Sequence, residues 1–182
     1  MSPNSYRKGG SGIVLHYHIA TTQVGLLLVE GTEKGLSTVF LGDAEAELEH
    51  DLPEEYPRAE FVKSEMDFVH NWIETVTAHL VARESETALF KLPFDVQSTS
   101  FQAKVWAALR DIPRGETRSY TQVAKQLGSP NAVRAVASAC AANKVAMVIP
   151  CHRVVRSDGS LSGYRWGVDR KKLLLEWENE LS

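Results

Sequence analysis

The hydrophobic pattern changes its period near the middle of the chain. Through Ile13–Ile19, Val24–Glu30 and Leu36–Leu41, apolar residues alternate with polar ones or run on, with Gly25, Gly31 and Gly35 as punctuation. That pattern predicts three strands of a small antiparallel sheet. Asp43–Asp51 predicts a short acidic helix. Ser64-Glu65-Met66-Asp67 has the form of a capping box opening a helix to about Ala82, in which Phe68, Trp72, Ile73 and Val76 share one face.

After Leu92-Pro93 the helical period dominates. Phe101–Arg110 places Val105, Trp106 and Leu109 at helical spacing, and Ile112-Pro113-Arg114-Gly115 stops it. Ser119 with Gln122 can cap a helix over Tyr120–Leu127. Gly128 is then its stop, Ser129 a new N-cap and Pro130 the first position of the next helix. Two helices joined this tightly predict a helix-turn-helix, a motif that helical hairpins without a DNA partner share. A strand over Val145–Ile149, a Gly/Ser-rich wing and a last helix follow. The expected architecture is therefore mixed α/β: a structural sheet-and-helix domain over residues 1–92, then a largely helical domain over 93–182.

Charge separates the halves further. Residues 1–92 carry 7 Lys/Arg against 15 Asp/Glu, net −8, while residues 93–182 carry 13 against 8, net +5. Phosphate binding depends on clustered cations, so the whole-chain charge of −3 hides a second half suited to nucleic acid. Met1–Gly12 has no apolar leader core, and no segment approaches the roughly 20 apolar residues of a membrane span. Neither a membrane partner nor an export signal is expected. The only cysteines are Cys140 and Cys151, too few for a disulfide framework, so a reducing, cytoplasmic setting is expected. His16 and His18 share a strand face, but two ligands do not close a zinc site. Neither a metal nor a cofactor is expected.

The chemistry concentrates in Pro150-Cys151-His152-Arg153-Val154, where the fixed φ of proline presents one sulfur on a rigid support. The second motif helix bears Ala132, Ala135, Ala139 and Ala142 with Arg134 among them. Small residues allow close approach to a groove floor, and they equally allow tight packing against a core.

Ile149–Val155 with its Cys-His pair, Asn143 eight residues earlier, Ser119-Tyr120, Arg134, Gly163-Tyr164 and Glu178 together resemble the 6-O-alkylguanine-DNA alkyltransferases. The likeness is strongest to the C-terminal half of the bacterial adaptive-response alkyltransferase-regulators, over Ala132–His152 and Ser160–Val168, and extends weakly through Phe40-Leu41-Gly42-Asp43. Arg7-Lys8-Gly9-Gly10 resembles the linker that joins those proteins' N-terminal zinc and regulatory region.

The resemblance implies a ribonuclease-H-like first domain and a winged helix-turn-helix second domain, acting as a monomer on double-stranded DNA. It implies that alkylated guanine is flipped out of the stack, since a protein thiolate cannot reach it there. Arg134 would fill the vacated space, beside Ala135 at the groove, and Tyr120 would drive backbone rotation and protonate the leaving base. Cys151 would take the alkyl group from 6-O-alkylguanine, or from 4-O-alkylthymine, as an inert thioether, so that each molecule acts once. His152, oriented by Glu178, would take the thiol proton through a water, and Asn143 would brace the loop. Glu178 stands between Glu176 and Glu180, where a solvated helix end is the plain alternative; its spacing from the cysteine motif sets it apart. The base would be read by main-chain groups of Cys151, Val154 and Arg165, in a pocket bounded by Tyr164 and narrowed by Trp166 and Ala146. Arg165 replaces a serine common in relatives. A lesion-binding protein without transfer is disfavoured by Cys151, and a Cys-His hydrolase by the adjacency of its two groups.

Overall fold

The computed structural model describes residues 9–54, 56–81 and 86–180. The three expected strands form: β1 (Val14–Thr22), β2 (Gly25–Thr32) and β3 (Gly35–Gly42), antiparallel, with His18 opposite Val29 and Val29 opposite Val39. A fourth, β4 (Glu60–Lys63), adds parallel to β1, giving the order β3-β2-β1-β4. Its four residues, two of them charged, are too short to show a period in the sequence.

The acidic helix α1 spans Glu45–Asp51, and α2 spans Asp67–Val81. Val69, Trp72, Ile73, Val76 and Leu80 of α2 are buried, as are Leu15, Leu27, Leu28 and Val39 of the sheet. Phe68 is only half-buried, its edge against Trp72 at 5.0 Å, and Val69 takes the core position. The expected capping box is absent. Ser64 Oγ accepts from the Met66 N–H, two residues on, and the helix begins at Asp67. The expected end of this helix at Ala82 lies outside the described residues, as do Arg7 and Lys8 of the linker-like segment. Gly31 is required by space: a Cβ there would stand 2.4 Å from the Gly35 carbonyl oxygen and 2.9 Å from the Trp72 ring.

A short helix, α3 (Thr87–Phe90), precedes the segment that returns to the sheet. There Leu36 N–H donates to the Pro93 carbonyl, and Asp95 N–H donates to the Leu36 carbonyl, both at 2.8 Å. These bonds keep residues 93–95 with β3, and the two compact units divide between Gln97 and Ser98.

In the second unit α4 spans Ser100–Arg110 and opens on a full capping box between Thr99 and Gln102. β5 (Arg118–Ser119) leads into α5 (Tyr120–Gln126), where Ser119 and Gln122 make the expected box, and Gly128 takes φ +67° after it. The next helix, α6 (Val133–Ala141), begins later than Ser129 and Pro130 suggested. The Ser129 carbonyl closes a turn with the Ala132 N–H at 2.8 Å, so residues 129–132 are a turn. Trp106 fixes α6 against α4 by donating its indole N–H to the Ala139 carbonyl at 2.8 Å.

Val145–Ile149 is not a strand. All five residues are buried, but Val148 N–H donates to the Ala146 carbonyl at 2.7 Å and Ile149 N–H to the Val145 carbonyl at 3.1 Å, folding the run into turns. Met147 sits at φ +66°, a conformation costly for a residue with a side chain. A continuous apolar run reports burial and not extension, which is why the pattern misled here. A single 3₁₀ turn (Cys151–Arg153), β6 (Val154–Val155) parallel to β5, and α7 (Val168–Glu180) complete the unit. Among the described residues no helix is long and apolar enough to cross a membrane.

Candidate active site

Cys151 stands on the 3₁₀ turn after Pro150, 4% exposed, at the wall of a cavity of about 550 Å³. Tyr120, Ser162, Tyr164, Arg165 and the α6 residues Ala137, Cys140 and Ala141 also line it. Asn143, fully buried, spans the loop below. Its Oδ1 accepts from the Val145 N–H at 3.0 Å, which turns its Nδ2 toward the Ile149 carbonyl at 2.9 Å and Cys151 Sγ at 3.1 Å. Desolvation pushes the Cys151 thiol up to about 11, against the Asn143 hydrogen bond and the charge of Lys171, which both pull it down. Burial thus favours the thiol over the thiolate, so the nucleophile needs a group that takes its proton.

The two residues that follow the cysteine belong to a buried charge cluster. His152 Nε2–H donates to Glu178 Oε1 at 2.8 Å, and Arg153 donates to the same carboxylate from Nε, at 3.1 and 3.0 Å, and from Nη2, at 2.7 Å. Arg153 Nη1 donates to the Ile112 carbonyl at 2.6 Å. Burial alone would raise the Glu178 pKa, but the charges and hydrogen bonds of His152 and Arg153 outweigh it and hold the carboxyl well below the usual range. Glu178 is 1% exposed, whereas Glu176 and Glu180 on the same helix are exposed. His152 Nδ1 is buried without a protein partner among the described residues.

Tyr120, half-buried, shares a hydrogen bond with Ser162 at 2.7 Å, and burial raises its pKa. Tyr164 points a buried hydroxyl into the unit with no partner among the described residues, and its ring meets Trp166 edge-on at 5.0 Å.

Of the residues expected to shape the pocket, Tyr164 and Arg165 line the cavity, together with Tyr120 and Cys151. Trp166, Ala146 and Val154 are buried but not among its lining residues. Trp166 packs edge-on against Tyr164, Ala146 belongs to the buried loop, and the Val154 carbonyl accepts from Lys171 Nζ at 2.6 Å. The alanine stripe also divides. Ala139 is buried and Ala132 and Ala142 half-buried, while Arg134, Ala135, Ser138 and Ala141 form the exposed face of α6. Positions i, i+1, i+4 and i+7 make that face, which follows from helical period once the helix start is known.

Three participants were not singled out from sequence. Arg153 was visible in the motif, but only its burial reveals its pairing with Glu178. Lys171 lies two turns before Glu178 and gave no signal of being inward. Ser162 sits in a Gly/Ser-rich segment, where a serine looks like turn chemistry. His16 and His18 have separate neighbours: the His16 ring lies against Phe68, and His18 lies 3.3 Å from Glu65.

The described 6-O-methylguanine DNA methyltransferase, DNA binding domain, matches residues 100–180. The chain is 47% identical over 180 residues to the bifunctional transcriptional activator/DNA repair enzyme Ada of Escherichia coli, covering 99% of this chain and 50% of that protein. It thus spans about half the length of that relative. It is 36% identical over 169 residues to a methylated-DNA–protein-cysteine methyltransferase of Mycolicibacterium paratuberculosis, covering 93% of this chain and 95% of that one. Among solved structures, Mycobacterium tuberculosis OGT in complex with DNA superposes with a TM-score of 0.75 at 31% identity, covering 92% of this chain and 94% of that one.

Proposed function

The chain belongs to the 6-O-methylguanine DNA methyltransferase family, and from that membership we propose that it repairs alkylated guanine in double-stranded DNA by moving the alkyl group to its own Cys151. The observation that carries the assignment to this residue is a buried thiol held by Asn143 at the wall of a cavity, next in the chain to a buried histidine paired with Glu178.

The sulfur attacks the alkyl carbon, the C–O bond breaks, and its electron pair leaves with the guanine. The thiol proton passes through a water to His152 Nδ1, where Glu178 stabilises the imidazolium. Tyr120 donates the proton that the leaving base requires and recovers it from solvent. The thioether resists hydrolysis, which supports one turnover per molecule. 4-O-Alkylthymine offers the same alkyl–oxygen bond and is the second proposed substrate.

We assign the second unit, residues 98–182 where the sequence divides after residue 92, to a winged helix-turn-helix domain that binds DNA and does the chemistry, and residues 1–97 to a ribonuclease-H-like structural domain. The parallel pair of β5 and β6 and the turn in which Arg156 N–H meets the Ser160 carbonyl at 3.0 Å support a wing. A monomer in the cytoplasm suits a free nucleophilic thiol. The exposed Arg134 and Ala135 face of α6 is the proposed groove contact, with Arg134 filling the space of the flipped base.

The direct test is a duplex carrying one 6-O-methylguanine. The proposal expects unmodified guanine in the DNA and no methanol in solution. Binding with the lesion left intact would mean a lesion-recognition protein, and released methanol a hydrolase. Arg134→Ala should slow repair of the duplex lesion by at least tenfold more than repair of the same base in single-stranded DNA, since unstacking costs a few kcal/mol only in the duplex. Equal losses on the two substrates would remove Arg134 from the flipping step.

A further inference from the structure

In the first unit the backbone brings two histidines and two carboxylates together between β1 and α2. Ser64 N–H donates to the Tyr17 carbonyl at 2.9 Å, which lays Glu65 beside His18, and His70 N–H closes the first turn of α2 onto the Met66 carbonyl at 3.0 Å. The His18 and His70 rings stand 6.2 Å apart, centroid to centroid, with their planes at 81°. Each ring has a carboxylate at one nitrogen: Glu65 Oε1 lies 3.3 Å from His18 Nδ1, and Glu74 Oε1 lies 3.1 Å from His70 Nε2. His18 Nδ1 is buried and makes no hydrogen bond among the described residues. The strand pattern paired His18 with His16, whereas the fold supplies its neighbour from the helix.

Two surface ion pairs would hold each imidazole to its own carboxylate, and nothing in them would bring the rings together across two elements. Metal ligation would. A histidine that binds a metal through one ring nitrogen characteristically offers the other to a carboxylate, which fixes the tautomer and the ring orientation. With Glu65 at Nδ1 of His18 and Glu74 at Nε2 of His70, the nitrogens left for a metal are His18 Nε2 and His70 Nδ1. Two imidazoles on one tetrahedral ion, at Zn–N distances of about 2.0–2.1 Å, have centroids about 5 Å apart, so the rings need to close by about 1 Å. The His70 side chain, 51% exposed, has the freedom to do so.

We propose that His18 and His70 hold one imidazole-preferring divalent ion, Zn²⁺ or Ni²⁺, between β1 and α2, with Glu65 and Glu74 behind them and water completing the coordination. The seat belongs wholly to the first unit. It ties the start of α2 to the strand it covers.

The test is a calorimetric titration of the full chain with ZnCl₂, beside His18→Asn, His70→Asn and Glu65→Gln. The thiols also take zinc, but their share is common to all four proteins, so the site is read as a difference. The parent should bind one Zn²⁺ more than either histidine variant. Glu65→Gln should keep that count and weaken the ion's affinity by about 10–100-fold, the scale of a partner lost from behind a ligand. Substoichiometric Ni²⁺ should broaden the imidazole resonances of His18 and His70 together, before those of His50, an exposed histidine on α1. Equal zinc counts in the parent and the histidine variants, or broadening of His70 without His18, would overturn the proposal. Melting curves identify folded variants, and should His18→Asn fail to fold, the half-exposed His70→Asn decides with the parent's Ni²⁺ spectra.

Discussion

Cys151→Ala is expected to abolish alkyl transfer while holding affinity for a methylated duplex within about threefold of the parent, because phosphate contacts carry most of the binding free energy. The substitution removes one buried sulfur and leaves Asn143, whose carbonyl end stays on the Val145 N–H and whose amide keeps the Ile149 carbonyl. The loop therefore retains two of the three bonds that shape it. Cys140 lines the same cavity, but burial pushes its thiol up further than that of Cys151, and no side-chain hydrogen bond opposes the shift. It should not take the alkyl group in the variant. A gel-shift titration beside a transfer assay checks both halves, and alkylation of Cys140 in the Ala variant would show that the cavity does not select its nucleophile.

Glu178→Gln carries the second large effect, on stability and on rate together. The carboxylate is 1% exposed and holds both His152 and Arg153, so its loss breaks a buried ion pair, at a cost of about 3–5 kcal/mol. Transfer should fall by roughly 10²-fold or more, the scale of an acid–base group deprived of its orienting partner. Because the folded pKa of Glu178 lies well below the ordinary carboxylate value, its contribution is complete above about pH 4.3 and declines as pH falls toward the folded value. Urea unfolding of the parent should lose stability on acidification through that window, and the Gln variant should lose less. Equal acid slopes in the two proteins would mean that Glu178 does not hold its proton off as described.

Much of this was legible in the residues. Ser119 and Gln122 named the start of α5 because a capping box is a local arrangement that the sequence states directly. The cysteine motif and its distance to Glu178 pointed to groups that the fold brings to 2.8 Å between His152 and the carboxylate. What escaped was non-local. β4 forms because β1 offers an edge, and Val145–Ile149 folds into turns because Asn143 takes up its backbone groups from beneath. Ser129-Pro130 has good helix-start chemistry, yet the Ser129 carbonyl closes a turn onto Ala132, and the tertiary hold of Trp106 on Ala139 fixes where α6 runs. Trp166, expected to narrow the pocket, packs edge-on against Tyr164, and Tyr164 is the one of the two that lines the cavity. Lys171 gave no sign of burial, since a lysine on a charged helix ordinarily faces water.

The measurement closest to the central claim is a time course of the intact protein with excess duplex carrying isotopically labelled 6-O-methylguanine, followed by peptide mapping. The account predicts a plateau at one methyl group per active molecule, all of it on Cys151, with an equal amount of guanine restored in the DNA. Continued turnover beyond that plateau, or label on any other residue, would contradict it.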